Sequence, residues 1–467
     1  MSTLALLNYK PVDGWAADFI PFYWEGEYHL FYLKDFRDPP GMGEGTPWFH
    51  LVTRDFVHFT ELGECLPRGS VEEQDLYVFT GSALYAEGRF HIFYTGHNPH
   101  LRRAGRPEQA LMHAVSDDLL EWHKLPEDTF FAPPDQYEAN DWRDPFVFWN
   151  EEAGEYWMLL AARLKNGPER RRGCTALCSS PDLKQWTVRE PLYAPGLYYT
   201  HECPDLFRSG GWWYLVFSEF SEACLTRYRM ARSLAGPWIA PADDAFDGRA
   251  FYAAKTAADA AVQRCLFGWN PTRAGESDSG AWQWGGSLVV HEIFQRADGS
   301  LGARLPQTIR DFLGPPLALD GKETLRLDGT GRLAQVDLGE LPNCGRIHLR
   351  LRFTEGTRAC GIFLRGSADG NEGCFLRLEP QRGRVVFDLW PRPGDQPFLA
   401  GLERPLRLDP GEAVEIELYV NGTLCEAYFD GAVALSARMY EHKGERWGVF
   451  ASEGVLEVRN IEKGQPA

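Results

Sequence analysis

Four stretches of the chain share one pattern of apolar and polar positions. Residues 19–32, 81–94, 145–160 and 203–217 each hold an apolar, aromatic run, a turn containing glycine, and a second apolar run. Short runs rich in β-branched and aromatic residues, bounded by such turns, predict β-hairpins. The turn glycines Gly26, Gly88, Gly154 and Gly210 lie 62, 66 and 56 residues apart. A second element keeps phase with the first. An Asp followed four residues later by an aromatic recurs at Asp55/Phe59, Asp118/Trp122 and Asp182/Trp186, with residues 234–238 a weaker fourth copy. Each follows an alternating run such as residues 112–116, which predicts a third strand, and the aromatic opens a fourth. The aromatic is expected to pack between neighbouring units. A fifth unit starts at Phe251 and keeps the run from Arg264 to Trp269 and a later strand at 286–294.

Five units of about four strands predict a five-bladed β-propeller, which protects its sheet edges by radial repetition. Around residues 301–319 the pattern changes, with Pro306, Pro315 and Pro316. Beyond it, runs such as 347–353, 385–390 and 414–420 alternate polar and apolar residues, and Asn421-Gly422 and Asp430-Gly431 mark hairpin turns. This predicts a C-terminal β-sandwich. The expected organisation is all-β: a propeller over 1–305, a linker over 306–319 and a sandwich over 320–467.

Composition narrows the function. The chain is 44% hydrophobic with 16 Trp, enough for a large core and aromatic-lined surfaces. A net charge of −18 argues against nucleic acid or an anionic membrane as partner. The ten cysteines are scattered, and Cys174 and Cys178 lack a second pair or histidines at zinc spacing, so no metal and no cofactor is expected. Reduced thiols, no visible signal peptide and no long uncharged apolar run predict a cytoplasmic protein, whose substrate would be small enough to be imported. Oligomeric state is left open.

The repeat also aligns three acids. Asp18 lies 8 residues before Gly26 and Glu202 lies 8 before Gly210. Asp144 lies 10 before Gly154, in a unit whose turn is two residues longer. All three are expected at one structural position, just before the first strand of a blade, where the second blade has Thr80. Pro145 places Asp144 at a strand start. First strands line a propeller's axis, so the three carboxylates should converge at one end of the channel. Paired carboxylates are the equipment of glycoside cleavage: one protonates the leaving oxygen, and one attacks the sugar or activates water. A third acid, beside Arg143, can stabilise an oxocarbenium-like transition state. Trp15, Trp48, Trp142 and Trp284 near the channel mouth suit the apolar face of a sugar.

These motifs resemble family 32 of the glycoside hydrolases, the invertase, levanase and inulinase group. Phe79-Thr-Gly-Ser-Ala83 is similar to the family's Phe-Ser-Gly-Ser-Ala, and residues 109–116 to its Gln-x-Leu-Ala-x-Ser stretch. Arg143-Asp144-Pro145 and Glu202-Cys203-Pro204 match Arg-Asp-Pro and Glu-Cys-Pro. Gly268-Trp269 and Trp284-Gly285 fit the fifth blade, and residues 414–440 the last sandwich hairpins. The resemblance implies a five-bladed propeller with a β-sandwich and retaining cleavage of β-fructofuranosides. It makes Asp18 the nucleophile, Glu202 the acid/base and Asp144 the stabiliser. It brings Arg143, Phe79, Thr80, Ser82, Cys203 and Trp269 to the sugar, beside Trp15, Trp48 and Trp284. The chain departs from the family at three points. Trp15-Ala-Ala-Asp18-Phe-Ile-Pro21 replaces Trp-Met-Asn-Asp-Pro-Asn-Gly, Leu33-Lys34 stand where a Gln follows Tyr32, and Val290-His291-Glu292 stand for Pro-Arg-Glu. All three departures are expected around the innermost sugar. The alternatives are an inverting arabinofuranosidase or xylosidase of the related family 43, and a sugar-binding propeller without catalysis.

Overall fold

The alternating runs form strands in the expected order. The computed structural model describes residues 3–5, 7–319, 321–392 and 401–466. The first sheet unit holds Trp15–Trp24, Glu27–Asp35, Trp48–Thr53 and His58–Leu66. The second holds Tyr77–Ala86, Arg89–His97, Gln109–Ser116 and His123–Phe130. The third holds Tyr137–Asn150, Glu155–Leu164, Gly173–Ser180 and Thr187–Val188. Glu202–Ser209, Trp212–Glu219 and Leu225–Ala231 make the fourth. Tyr252–Ala258, Arg264–Arg273 and Trp282–Gln295 make the fifth, with Leu301–Arg304 on its edge. The first strand of each unit touches the first strand of the next, and the fifth touches the first, so these strands form a closed ring. Between units five and one the closure includes the strand pair Gly286–Ala16. This is a β-propeller.

The repeated Asp has a local cause. Asp55, Asp118 and Asp182 each accept hydrogen bonds from two backbone amides just ahead of them, at 2.8–3.0 Å. A short carboxylate that satisfies its own turn is favoured at such corners. The aromatic that follows packs across units, as expected: Trp122 meets Phe31 of the first unit at 5.8 Å, and Trp186 meets Phe93 of the second at 5.6 Å.

Beyond Arg304, a short helix, Gln307–Phe312, buries Ile309 against the propeller core. Two packed sheets follow. A seven-stranded sheet includes Cys344–Phe353, Ala413–Asn421, Leu424–Phe429 and Val455–Gly464. A six-stranded sheet runs Leu333–Glu340, Arg446–Ser452, Ala359–Gly366, Gly373–Glu379, Arg384–Trp390, Leu402–Pro405. Their facing side chains form one core that includes Leu349, Ile362, Leu376, Ile416 and Trp447, as a β-sandwich requires.

A buried polar network holds the sandwich on the propeller. Asp247 accepts from the Ser436 amide at 2.8 Å and the Ser436 hydroxyl at 2.5 Å, and it faces His291 at 2.9 Å. The other His291 nitrogen meets the Tyr428 hydroxyl at 3.0 Å. Removing one member would leave the others buried without a partner, which is costly. Among the described residues, no helix is long and apolar enough to cross a membrane.

Candidate active site

All five inner strands carry a β-bulge at the same height. Pairing with the second strand slips between Ala17 and Ile20, Phe79 and Gly81, Arg143 and Phe146, Glu202 and Asp205, and Tyr252 and Lys255. A bulge bends the strand and re-aims a side chain. In four of the units the bulged residue is left-handed: Asp18 (φ 47°), Asp144 (φ 58°), Cys203 (φ 50°) and Ala253 (φ 52°). That conformation costs an ordinary residue on the order of 1 kcal/mol, and such strain gathers at functional sites.

Two expectations are corrected by this geometry. Asp144 does not open a strand; it sits inside the continuous strand Tyr137–Asn150. Pro145 is tolerated there because it is the second bulge residue, where no ladder amide is needed. Glu202, in turn, is not equivalent to Asp18 and Asp144. The fourth hairpin turns on Gly210-Gly211, since Ser209 pairs with Trp212, so its equivalent of Gly26 is Gly211. The bulged residue of unit four is therefore Cys203, and Glu202 stands one place earlier, level with Arg143 and Tyr252.

That offset connects the site. Arg143 donates to Glu202 Oε1 at 2.9 Å and to Asp141 Oδ1 at 2.8 Å. Tyr252 donates to Glu202 Oε2 at 2.6 Å. The three equivalent positions of units three, four and five thus form one hydrogen-bonded chain. The bulged acids are held from the side. Asp18 receives the Thr80 hydroxyl at 2.6 Å on Oδ2 and the Trp269 indole at 2.9 Å on Oδ1. Asp144 Oδ2 receives the Cys203 amide at 2.9 Å, and the Asp144 amide is bound by the Thr95 hydroxyl at 2.7 Å.

Burial and mutual repulsion tune these groups. Desolvation pushes the Asp18 carboxyl up to about 7; the Thr80 and Trp269 donors oppose this, and the charges of Asp144 and Glu202 add to it. Desolvation pushes Asp144 up to about 6, against the pull of Arg143 and with the repulsion of Glu202. Burial works against the Arg143 charge, but Glu202, Asp144 and Asp141 more than offset it and hold the guanidinium above its ordinary range. Neighbouring carboxyls pushed out of their ordinary range are the equipment for acid–base work.

The remaining sequence-predicted residues divide in two. Trp269 and Trp284 meet edge to face at 6.3 Å, and both line a cleft of about 780 Å³ that also reaches Glu202 and Tyr252. Trp15 stands behind that wall: Arg37 stacks on its ring at 4.0 Å and donates to the Trp284 carbonyl at 2.6 Å. Thr80 and Cys203 act on Asp18 and Asp144 as described. Trp48 and Trp142 do not reach the site. Both are fully buried, Trp48 with its indole N–H on the Val78 carbonyl at 3.1 Å and Trp142 packed on Tyr137 at 5.0 Å. Ser82 is buried and accepts the Val147 amide at 3.0 Å, joining units two and three. Phe79 is half-buried and stacks on His97 at 4.6 Å. Val290-His291-Glu292 lies toward the far end of its strand, where His291 bonds to the sandwich and not to any of the three acids. Tyr252 is a site residue that the sequence reading missed, as are Asp141 and Thr95. Among the described residues, no group of three or more His, Cys, Asp or Glu could hold a metal ion.

Comparison with known proteins bears on the family and the fold. Residues 9–298 match the model of the glycosyl hydrolases family 32 N-terminal domain. The chain is 27% identical over 478 residues to a raffinose invertase of Escherichia coli, covering 96% of this chain and 92% of that protein. It is 26% identical over 338 residues to a sucrose-6-phosphate hydrolase of Vibrio alginolyticus, covering 68% of this chain and 65% of that protein. Among solved structures, fructan 1-exohydrolase IIa from Cichorium intybus superposes with a TM-score of 0.78 at 18% identity, over 98% of this chain and 96% of that one. Exo-inulinase from Aspergillus awamori gives 0.75 at 19% identity, over 99% and 98%. At such identities the structures speak for the fold, a propeller joined to a sandwich. The family match covers most of the chain, bulged acids included, and the chain belongs to glycosyl hydrolase family 32.

Proposed function

We propose that the chain cleaves terminal β-D-fructofuranosides from sucrose-like oligosaccharides by a retaining mechanism. The observation that carries this reading is that Asp18, Asp144 and Glu202 lie close enough for the charges of the last two to raise Asp18, while Arg143 and Tyr252 bind the two oxygens of Glu202, which lines the cleft. Asp18 is the nucleophile: it attacks the anomeric carbon while Glu202 gives its proton to the leaving oxygen. Glu202 then takes a proton from water, which attacks the fructosyl ester on Asp18 and frees the sugar. Asp144 has Oδ1 available for ring hydroxyls because the Cys203 amide occupies Oδ2. Arg143 faces Glu202 at 2.9 Å and Asp144 at 3.9 Å and offsets part of their negative charge. Thr80 and Trp269 fix the Asp18 carboxylate for in-line attack.

Names of relatives support this substrate class: raffinose invertase and sucrose-6-phosphate hydrolase in sequence, fructan 1-exohydrolase and exo-inulinase in fold. We read residues 1–305 as the catalytic module and 320–467 as the sandwich. Ten free thiols support a reducing, cytoplasmic location.

The test is product analysis with sucrose, 1-kestose and inulin in water–methanol mixtures. Retention yields methyl β-D-fructofuranoside. Release of the α-anomer would move the reading to an inverting mechanism. Full turnover by both Asp18→Asn and Glu202→Gln would overturn the assignment of these acids.

A further inference from the structure

The outward face of the six-stranded sandwich sheet holds a depression of about 640 Å³. The inward residues of these strands, among them Cys374, Leu376 and Leu378, fill the core. The outward residues of a half-exposed sheet are ordinarily polar. Here the outward face carries aromatic side chains. Phe375 and Phe450 meet edge to face at 5.2 Å, and Trp390 stands at the rim with 60% of its surface exposed. Ala359 leaves room between them, and the planar amides of Gln335 and Gln381 border the space.

Charge decides what kind of ligand fits. Each arginine around the depression already faces a carboxylate. Arg377 meets Asp388 at 2.7 Å and Glu379 at 3.6 Å, Arg382 meets Glu379 at 3.5 Å, and Arg358 meets Glu453 at 3.7 Å. An anion would find little unbalanced positive field. Aromatic faces bordered by paired guanidiniums and amides suit a neutral molecule with one apolar face and many hydroxyls, which is a sugar.

The depression also adjoins the catalytic cleft. Arg377 lines the depression while its partner Asp388 lines the cleft. On the strand Arg384–Trp390, Leu389 faces the cleft and the next residue, Trp390, faces the depression. We propose that this face of the sandwich is a second sugar-binding site, which holds a distal residue of a fructan whose terminal unit occupies the cleft. The proposal rests on the fructosidase reading above. A second contact raises the effective concentration of a chain long enough to reach both sites and does nothing for a disaccharide.

Trp390→Ala removes an exposed side chain and is expected to fold. Its kcat/KM on inulin or levan should fall about five- to tenfold, mainly through KM, as loss of one aromatic platform implies. Its kcat/KM on sucrose should not change. Phe375→Ala should do the same. Direct binding is read in the Glu202→Gln background by migration through gels containing inulin, levan, arabinan or xylan, with circular dichroism to verify folding. Retardation that Trp390→Ala abolishes is the expected result. Unchanged retardation, no retardation in any gel, or equal losses on sucrose and inulin would overturn the second site. If the wild type turns over no fructoside, the proposed function fails, and the gels still decide the sugar site separately.

Discussion

Tyr252 gives its phenolic hydrogen bond to one oxygen of Glu202 at 2.6 Å, while Arg143 holds the other at 2.9 Å. The carboxylate is thereby fixed in plane from two neighbouring units. Tyr252→Phe keeps the ring and its packing and removes only the donor. A hydrogen bond to a charged group contributes about 1.5–3 kcal/mol, so kcat should fall about ten- to a hundredfold. KM should move much less. Steady-state kinetics on sucrose checks this, and an unchanged kcat would reduce Tyr252 to a packing residue.

Arg143 is buried among Asp141, Asp144 and Glu202. Arg143→Ala leaves three carboxylates without their common cation. Breaking such a buried set by removing one partner costs about 3–5 kcal/mol. The loss should be largest near pH 7.5 and shrink toward pH 4.5, where the acids can protonate. Urea unfolding at the two pH values measures it. Arg143→Lys keeps a charge but loses the planar fork, so stability should partly return while activity stays low.

The strand order was legible because hydrophobic runs and turn glycines recur in phase, and a propeller needs nothing more exotic. The site was legible only to within one residue. Gly210 and Gly211 both lie in the fourth turn, and choosing the first shifted Glu202 onto the wrong bulge position. Pro145 reads equally well as a strand start or as a bulge, and the residues alone do not separate the two. Tyr252 was out of reach of the glycine spacing, because the fifth hairpin turns through residues 259–263 without a glycine. Trp48 has the composition of a sugar platform, but its burial depends on non-local packing: its indole finds the Val78 and Phe79 carbonyls of the next unit.

Asp18 must be ionised to attack, yet desolvation holds it at about 7. The acidic limb of kcat/KM, which reports the free enzyme, should therefore fall near pH 7 with unit slope. Asp144 contributes repulsion to that shift. Asp144→Asn should move the limb to lower pH while lowering the plateau. A limb that stays in place in the variant, or one near pH 4 in the wild type, would mean that Asp18 does not govern it.

The same shift sets a stability cost. A carboxyl whose folded value is about 7, against 3.8 for an ordinary Asp, binds its proton more tightly when folded. Between pH 3.8 and about 7 the folded state carries more protons than the unfolded chain, so stability falls as pH rises through that window. Asp144, at about 6, adds to the fall over the lower part of it. Below the window both states are protonated and the cost vanishes. Above it the cost from Asp18 is complete, at most about 4 kcal/mol and less in practice, because the carboxylate keeps partial solvent access. Asp18→Asn removes the charge and keeps the shape. Its amide oxygen can accept from the Trp269 indole, and its NH₂ can face the Thr80 hydroxyl, which rotates to accept. The variant should therefore be inactive but more stable than the wild type at pH 8, by roughly 1–3 kcal/mol after that discount, and no more stable at pH 4. Denaturant unfolding of both proteins at the two pH values measures this. A wild type that is the more stable at pH 8 would show that the Thr80 and Trp269 hydrogen bonds outweigh the burial of charge.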